Sequence, residues 1–234
     1  MHCEPNRIKM KKTQDADQRA RIGKAEKETM EEQKDKITIR RAVSEDAAKL
    51  LEIYRPYVEE TAISFEWEVP SLAEFTDRMK AISAKYPYLV AEADGEPVGY
   101  DYAGTFKERA AYDWDVEVTI YTRKDWSKQG LGRMLYEALE SALRTQNILN
   151  VNACIAYPAD GADDAYLTKN SMQFHEHMGY RLVGRFTKCG YKFGRWYDMV
   201  WMEKHIGEHV SEQPPVIPFA ECLFLIDKKV DTCR

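Results

Sequence analysis

The stretch from Val116 to Gln146 constrains this chain more than any other. "VEVTIYT" alternates apolar and polar residues as a half-buried strand does. It runs through "RKDWSKQGLG" into the apolar, helix-forming "GRMLYEALESALRTQ". Strand, glycine turn and helix in that order set a helix N-terminus beside the end of a strand. The first turn of a helix leaves N–H groups without intrahelical partners and carries partial positive charge. Glycines at 130 and 132 let an anion approach that backbone with no Cβ in the way. The spacing therefore points to a phosphate cradle built from the amides of Lys128, Gln129, Gly130, Leu131, Gly132 and Arg133. A Walker loop does not fit, because Arg133-Met134 stands where Lys-Ser/Thr is required. A dinucleotide fingerprint does not fit either, since its third small residue would fall on Leu135. Taken alone, the loop also permits a turn that merely tightens a strand-to-helix connection.

The rest of the chain supplies the partners for this unit. "ITIRRA" alternates from Ile37 as a first strand. "SEDAAKLLEIYRPYVEE" follows as a helix, with Ser44 as its N-cap and Ala47, Leu50, Leu51 and Tyr54 on one face. "SLAEFTDRMKAISAKY" is a second helix, capped by Ser71 with Glu74 three residues on. "YLVAEADGEPVGYDYAG" reads as two strands about an Asp94-Gly95 turn. After the glycine loop and its helix come the strand "ILNVNACIAY", the helix "TKNSMQFHEHMGY" stopped at Gly179, and two closing strands through Lys204. The order predicts an α/β fold, one mixed sheet with helices on both faces. Residues 1–36 alternate acids and bases and read as a solvated extension, followed by a domain over 37–205. The tail 206–234 opens with the proline-rich "EQPPVIP". Its apolar "FAECLFLI" is expected to dock, as an added strand or against a second subunit.

Composition narrows the class. Hydrophobic residues make up 44% of the 234, enough for a real core, and no run of about eighteen apolar residues suggests a membrane span. The N-terminal residues lack the apolar core of a secretory signal. Five cysteines, an odd number without CxxC spacing, read as reduced thiols in the cytoplasm. A net charge of −5 gives no reason to expect nucleic acid as a partner, and no His/Cys/Asp cluster has metal-ligand spacing.

The segment "VEVTIYTRKDWSKQGLGRMLYEAL" resembles the cofactor motif of the GNAT N-acetyltransferases, a strand, then Q/R-x-x-G-x-G/A, then a helix. "KYPYLVAE", "YAGTFKERAAYDWDVEVTIY" and "FHEHMGYRLVGRFTKCGYKFGRWYDM" are similar to the phosphinothricin and methionine-sulfoximine branch of that family. The resemblance spans Ile37 to Lys204 and implies a mostly antiparallel GNAT-like sheet, with acetyl-CoA as the cofactor whose diphosphate lies in the glycine loop. It further implies cofactor contacts from the strand residues Thr119, Ile120 and Tyr121. Two departures stand out. Ser127 occupies the place of the family's Gln or Arg, with Lys128 or Lys124 available to supply charge. Thr168 occupies the place of an Asn before the last helix, with Asn170 two residues on.

Acetyl transfer to an amine needs a base, and Glu117 matches the family's strand glutamate. The alternation puts Glu117 and Thr119 on one face of the strand and Val116, Val118 and Ile120 on the other. His175 stands where many of these enzymes carry a tyrosine acid. It is either a proton donor to the leaving thiolate or a helix histidine with a structural hydrogen bond. By resemblance "TFKERAAYDW" lines the acceptor pocket. Lys107 and Arg109 would hold an acidic group, and Phe65, Tyr112 and Trp114 are candidate walls that core packing explains equally well. The expected activity is N-acetylation of a small amino-acid-like amine. A peptide acceptor, or a non-catalytic acyl-CoA-binding module, remains the alternative. The resemblance and "FAECLFLI" allow a homodimer without establishing one.

Overall fold

The computed structural model describes residues 37–127 and 129–225, so the N-terminal extension, Lys128 and the end of the tail lie outside the described residues. Seven strands form one sheet: β1 (Ile37–Arg41), β2 (Tyr88–Ala93), β3 (Glu96–Thr105), β4 (Asp115–Thr122), β5 (Asn150–Pro158), β6 (Arg181–Lys192) and β7 (Arg195–His205). Their order is β1-β2-β3-β4-β5-β7-β6. Four α-helices accompany them: α1 (Ala47–Glu59), α2 (Leu72–Ser83), α3 (Leu131–Thr145) and α4 (Asn170–His177).

The helices cover both faces, as the element order predicts. On one face α3 turns Tyr136, Leu139 and Leu143 onto Val116, Val118, Val151 and Ile155 of the central strands. Each such aliphatic side chain contributes about 1.5–3 kcal/mol on burial. On the other face Leu50, Leu51 and Tyr54 of α1 and Phe75 and Met79 of α2 pack on Tyr88, Val90 and Tyr100. The strand alternation therefore assigns every β4 residue to one layer: Val116 and Val118 to the α3 side, Glu117, Thr119 and Tyr121 to the α1 side.

Local signals act mostly where expected. Ser71 Oγ accepts the Glu74 backbone N–H at 3.2 Å and caps α2. Asp94 and Gly95 take positive φ of 52° and 81° in the hairpin turn between β2 and β3. Ser44 differs: it begins a single 3₁₀ turn over Ser44–Asp46, and α1 starts only at Ala47. The Asp46 carboxylate accepts the Val43 N–H at 2.8 Å and pairs with Arg40, which ties the 3₁₀ turn to the end of β1, and no side chain caps the start of α1.

The tail packs back on the domain. Ile206 N–H donates to Leu149 O at 2.7 Å, and Trp114 Nε1 donates to Pro214 O at 2.7 Å. The buried Gln146 amide donates to both Lys85 O and Ile217 O. "FAECLFL" forms a 3₁₀ helix over Phe219–Leu225 rather than an added strand. Phe219 and Cys222 are buried against Ala142 of α3.

Candidate functional site

The site begins with an interrupted pairing. β4 and β5 run parallel, and they pair only from Asp115–Glu117 to Asn150–Asn152. Beyond that point β4 stays with β3 as far as Thr122, and β5 stays with β7 as far as Pro158. The facing edges from Val118 to Tyr121 and from Ala153 to Ala156 therefore diverge, leaving backbone donors and acceptors that an extended ligand can satisfy. A cavity of about 420 Å³ fills the gap, lined by both edges, by Tyr136 and His175, and by Ile63 to Glu66 of the α1–α2 loop. At the apex Asn152 Nδ2 donates to the Asp115 carboxylate and to Val116 O, which ties the two strands together where they stop pairing. Burial raises the Asp115 carboxyl to about 6, against the opposing pull of that Asn152 hydrogen bond.

Glu117 sits at the last paired position, half-buried and lining the cavity. Burial raises its carboxyl above the ordinary range, and the nearby Lys107 charge opposes the rise. Such a group is more basic than a solvated carboxylate. Lys107 Nζ lies 4.8 Å from the Phe106 ring centre and 5.7 Å from that of Trp201. Cys154, two residues past Asn152 on the same face, is exposed to the cavity, and burial of its surroundings pushes its thiol up to about 12. It stays a neutral thiol.

The helix start shows what each glycine does. Gly130 is the N-cap of α3 with φ 80°, a left-handed conformation that glycine adopts without strain. Ser127 N–H bonds to Lys124 O, and the Gln129 side-chain amide donates to Asp125 O. The amides of Leu131, Gly132 and Arg133 belong to the unpaired first turn. At Gly132 a Cβ would lie 3.1 Å from the Phe174 ring and 3.6 Å from Ile120. This glycine lets α4 and β4 close on α3.

His175 is 3% exposed and held at both nitrogens. Its Nδ1 is 2.7 Å from Ser171 O, a carbonyl that only accepts, so Nδ1 carries the proton. Nε2 then accepts the Tyr136 hydroxyl at 3.0 Å. Burial lowers the imidazole to about 4 despite the Ser171 bond. The ring is neutral at physiological pH, with no spare proton for a leaving group. Behind Tyr136, Asp101 of β3 is fully buried on the α3 side, and neither of its oxygens has a partner among the described residues. Burial raises its carboxyl well above 3.8.

The structure gathers Phe65, Glu117, Thr119, Ile120, Tyr121 and His175 around one cavity. Arg109 is exposed in the segment before β4. Tyr112 and Trp114 line a separate cavity of about 390 Å³ with Asn150 and His209, and the Trp114 indole holds the tail. Thr168 Oγ1 accepts the Asn170 N–H at 3.4 Å, a local turn at the start of α4, and Asn170 is exposed. Sequence reasoning missed Tyr136, whose signal was a hydroxyl on an otherwise aliphatic helix stripe. It also missed Glu66 and Cys154.

Residues 39–201 match the family model described as an acetyltransferase (GNAT) domain, and the chain belongs to that family. It is 33% identical to a phosphinothricin N-acetyltransferase of Streptomyces viridochromogenes, over 79% of this chain and 96% of the relative. An L-methionine sulfoximine/L-methionine sulfone acetyltransferase of Salmonella typhimurium is 27% identical over 75% of this chain and 98% of the relative. Among solved structures, a GNAT superfamily phosphinothricin acetyltransferase from Sinorhizobium meliloti in complex with acetyl-CoA aligns with a TM-score of 0.70. Its identity is 31%, over 79% of this chain and 97% of that one.

Proposed function

We propose that this protein transfers the acetyl group of acetyl-CoA to the primary amine of a small amino-acid-like acceptor of the phosphinothricin or methionine sulfoximine kind. The observation that carries the reading is the β4–β5 pairing that ends at Glu117, with a cavity opening directly beyond it. In this reading the thioester arm lies between the diverging edges, bonded to backbone at Thr119, Ile120 and Tyr121, and its diphosphate rests on the amides at the start of α3. Ser127 and Arg133 flank that turn, and the hydroxyl of Thr168 and the amide of Asn170 stand at the start of α4.

The transfer is direct. A neutral amine attacks the thioester carbon, a C–N bond forms, and the carbonyl oxygen takes the negative charge. Glu117, through water, removes the proton from the new ammonium nitrogen. The C–S bond then breaks, the thiolate leaves, and the proton taken by Glu117 returns to sulfur through the same water. His175 and Tyr136 act as a neutral pair that fixes the wall of the site, which leaves the proton traffic to Glu117. Lys107 and Arg109 supply positive charge for the acceptor's acidic group, and Phe65 supplies an apolar wall.

For assembly we propose a homodimer across β6. This twelve-residue strand lies at the margin of the sheet and exposes Leu182, Val183 and Phe186, and such an edge is normally covered. Cys154 and Cys189, free and exposed, suit a reducing compartment such as the cytoplasm. Thiol release from acetyl-CoA, followed with the standard amino acids, phosphinothricin, methionine sulfoximine and a short peptide, tests the activity. Release that depends on an amino-acid-like amine is the expected result. Background hydrolysis alone with every amine overturns it.

A further inference from the structure

The β6–β7 hairpin touches the α1–α2 loop at two points that the chemistry above does not use. Lys192, the last residue of β6, is 3% exposed. Its Nζ donates to three carbonyl oxygens: Val58 at 2.7 Å, Thr61 at 3.0 Å and Ser64 at 2.7 Å. An ammonium has three N–H donors and no acceptor, so its hydrogen-bonding capacity is filled. Val58 lies in the last turn of α1, where carbonyls lack intrahelical partners and carry the negative end of the helix dipole. Three oxygens that would each need a donor thus converge on one charge. Two residues earlier, a Cβ on Gly190 would lie 2.3 Å from Cε2 of Phe65, so that ring rests on bare backbone. The loop held this way supplies Ile63, Ser64, Phe65 and Glu66 to the wall of the cavity. Tyr54 adds a third fastening through its 2.6 Å hydrogen bond to Ser64 Oγ.

We infer that Lys192, together with the bare backbone at Gly190, is a positioning element for acceptor specificity: the ammonium moulds the loop 60–66 against which the amine's side chain rests. This inference rests on the acetyltransferase reading above. Lys192 touches neither Glu117 nor the start of α3, so its removal loosens the acceptor wall and leaves cofactor binding and the acetyl-transfer step in place. Acceptors that reach the wall lose their advantage over simple amines that do not.

The test uses the full chain with Lys192→Met, which keeps the length and removes the donors, and with Gly190→Ala, which displaces the Phe65 ring. Hydrogen–deuterium exchange over residues 58–66 needs no substrate, and Lys192→Met is expected to speed it about tenfold or more. In turnover, both variants are expected to raise the KM of the best amino-acid acceptor about fivefold or more. The kcat and the calorimetric Kd for acetyl-CoA stay within about twofold or threefold. Exchange and KM that both match the wild type overturn the inference, and so does a Kd for acetyl-CoA that worsens in step with KM. Should Lys192→Met fail to fold by circular dichroism, Gly190→Ala decides alone by the same KM criterion. Failure of the wild type to acetylate any amine counts against the acetyltransferase reading, while the exchange measurement still decides whether Lys192 holds the loop.

Discussion

Burial shifts the Asp101 carboxyl upward and the His175 imidazole downward, with opposite consequences for stability, so each partly masks the other in the wild-type pH curve. The buried Asp101 carboxyl is raised well above 3.8 in the fold. Between the unfolded and folded values the native state holds a proton that the unfolded chain has lost. Its contribution is full below the unfolded value and declines, as pH rises to the folded value, by about 1.4 kcal/mol per pH unit. His175 runs the other way, because its folded value of about 4 lies below the ordinary 6.5. Its contribution is full above 6.5 and lost as pH falls towards 4, a total of about 3 kcal/mol over roughly 2.5 units. For a domain of this size about 1 kcal/mol moves Tm by about 2–4 °C, so each slope amounts to about 3–6 °C per pH unit. Thermal unfolding between about pH 4.5 and 6.5 separates them. Asp101→Asn should gain stability over the wild type as pH rises, and His175→Gln should gain over the wild type as pH falls. Flat difference curves for both variants would refute the assignment of a neutral imidazole and a neutral carboxyl to this core.

Other substitutions report on single contacts. Glu117→Gln should lower kcat by at least about tenfold at neutral pH in the thiol-release assay, the loss expected for a general base; unchanged turnover removes Glu117 from the mechanism. Gly130→Ala should cost about 1–2 kcal/mol in denaturant unfolding, from strain at positive φ, and should weaken acetyl-CoA binding in calorimetry. Gly95→Ala, also at positive φ but with open space around it, should show the stability loss with no change in that affinity. Lys204 donates to both oxygens of the buried Glu140 at 2.7 Å, with Arg144 at 3.3 Å as a second partner. Lys204→Met should therefore cost about 1–3 kcal/mol in urea melts, less than a pair with no second partner.

What could be read from the sequence was local. The β4–loop–α3 unit was visible because a period of two gives way to an apolar helix stripe, and the Ser71 cap and the Asp94-Gly95 turn each act within a few residues. The parting of β4 from β5 was not visible, since residues more than thirty positions apart decide it, with Asn152 reaching Asp115 across the gap. Gly132 looked identical to Gly130 in the motif, yet its neighbour is Phe174, which belongs to another helix. Tyr112 and Trp114 were sound guesses for a pocket wall, but the pocket they line is a different one because the tail returns to Trp114. Lys192 gave a faint sign: it and Gly190 fall on the same alternation in β6, and both are buried in an otherwise exposed strand.

The returning tail matters for anyone who trims the gene. The match to the family model ends at residue 201, which invites a stop codon soon afterwards. Such a cut would strip the acceptors from the Trp114 indole and the Asn147 amide, take one of the two from Gln146, and bare the seat of Phe219 on Ala142. The stretch that looks most like an appendage fastens the far end of α3, so the bounds of the family match and the needs of folding set different limits for trimming.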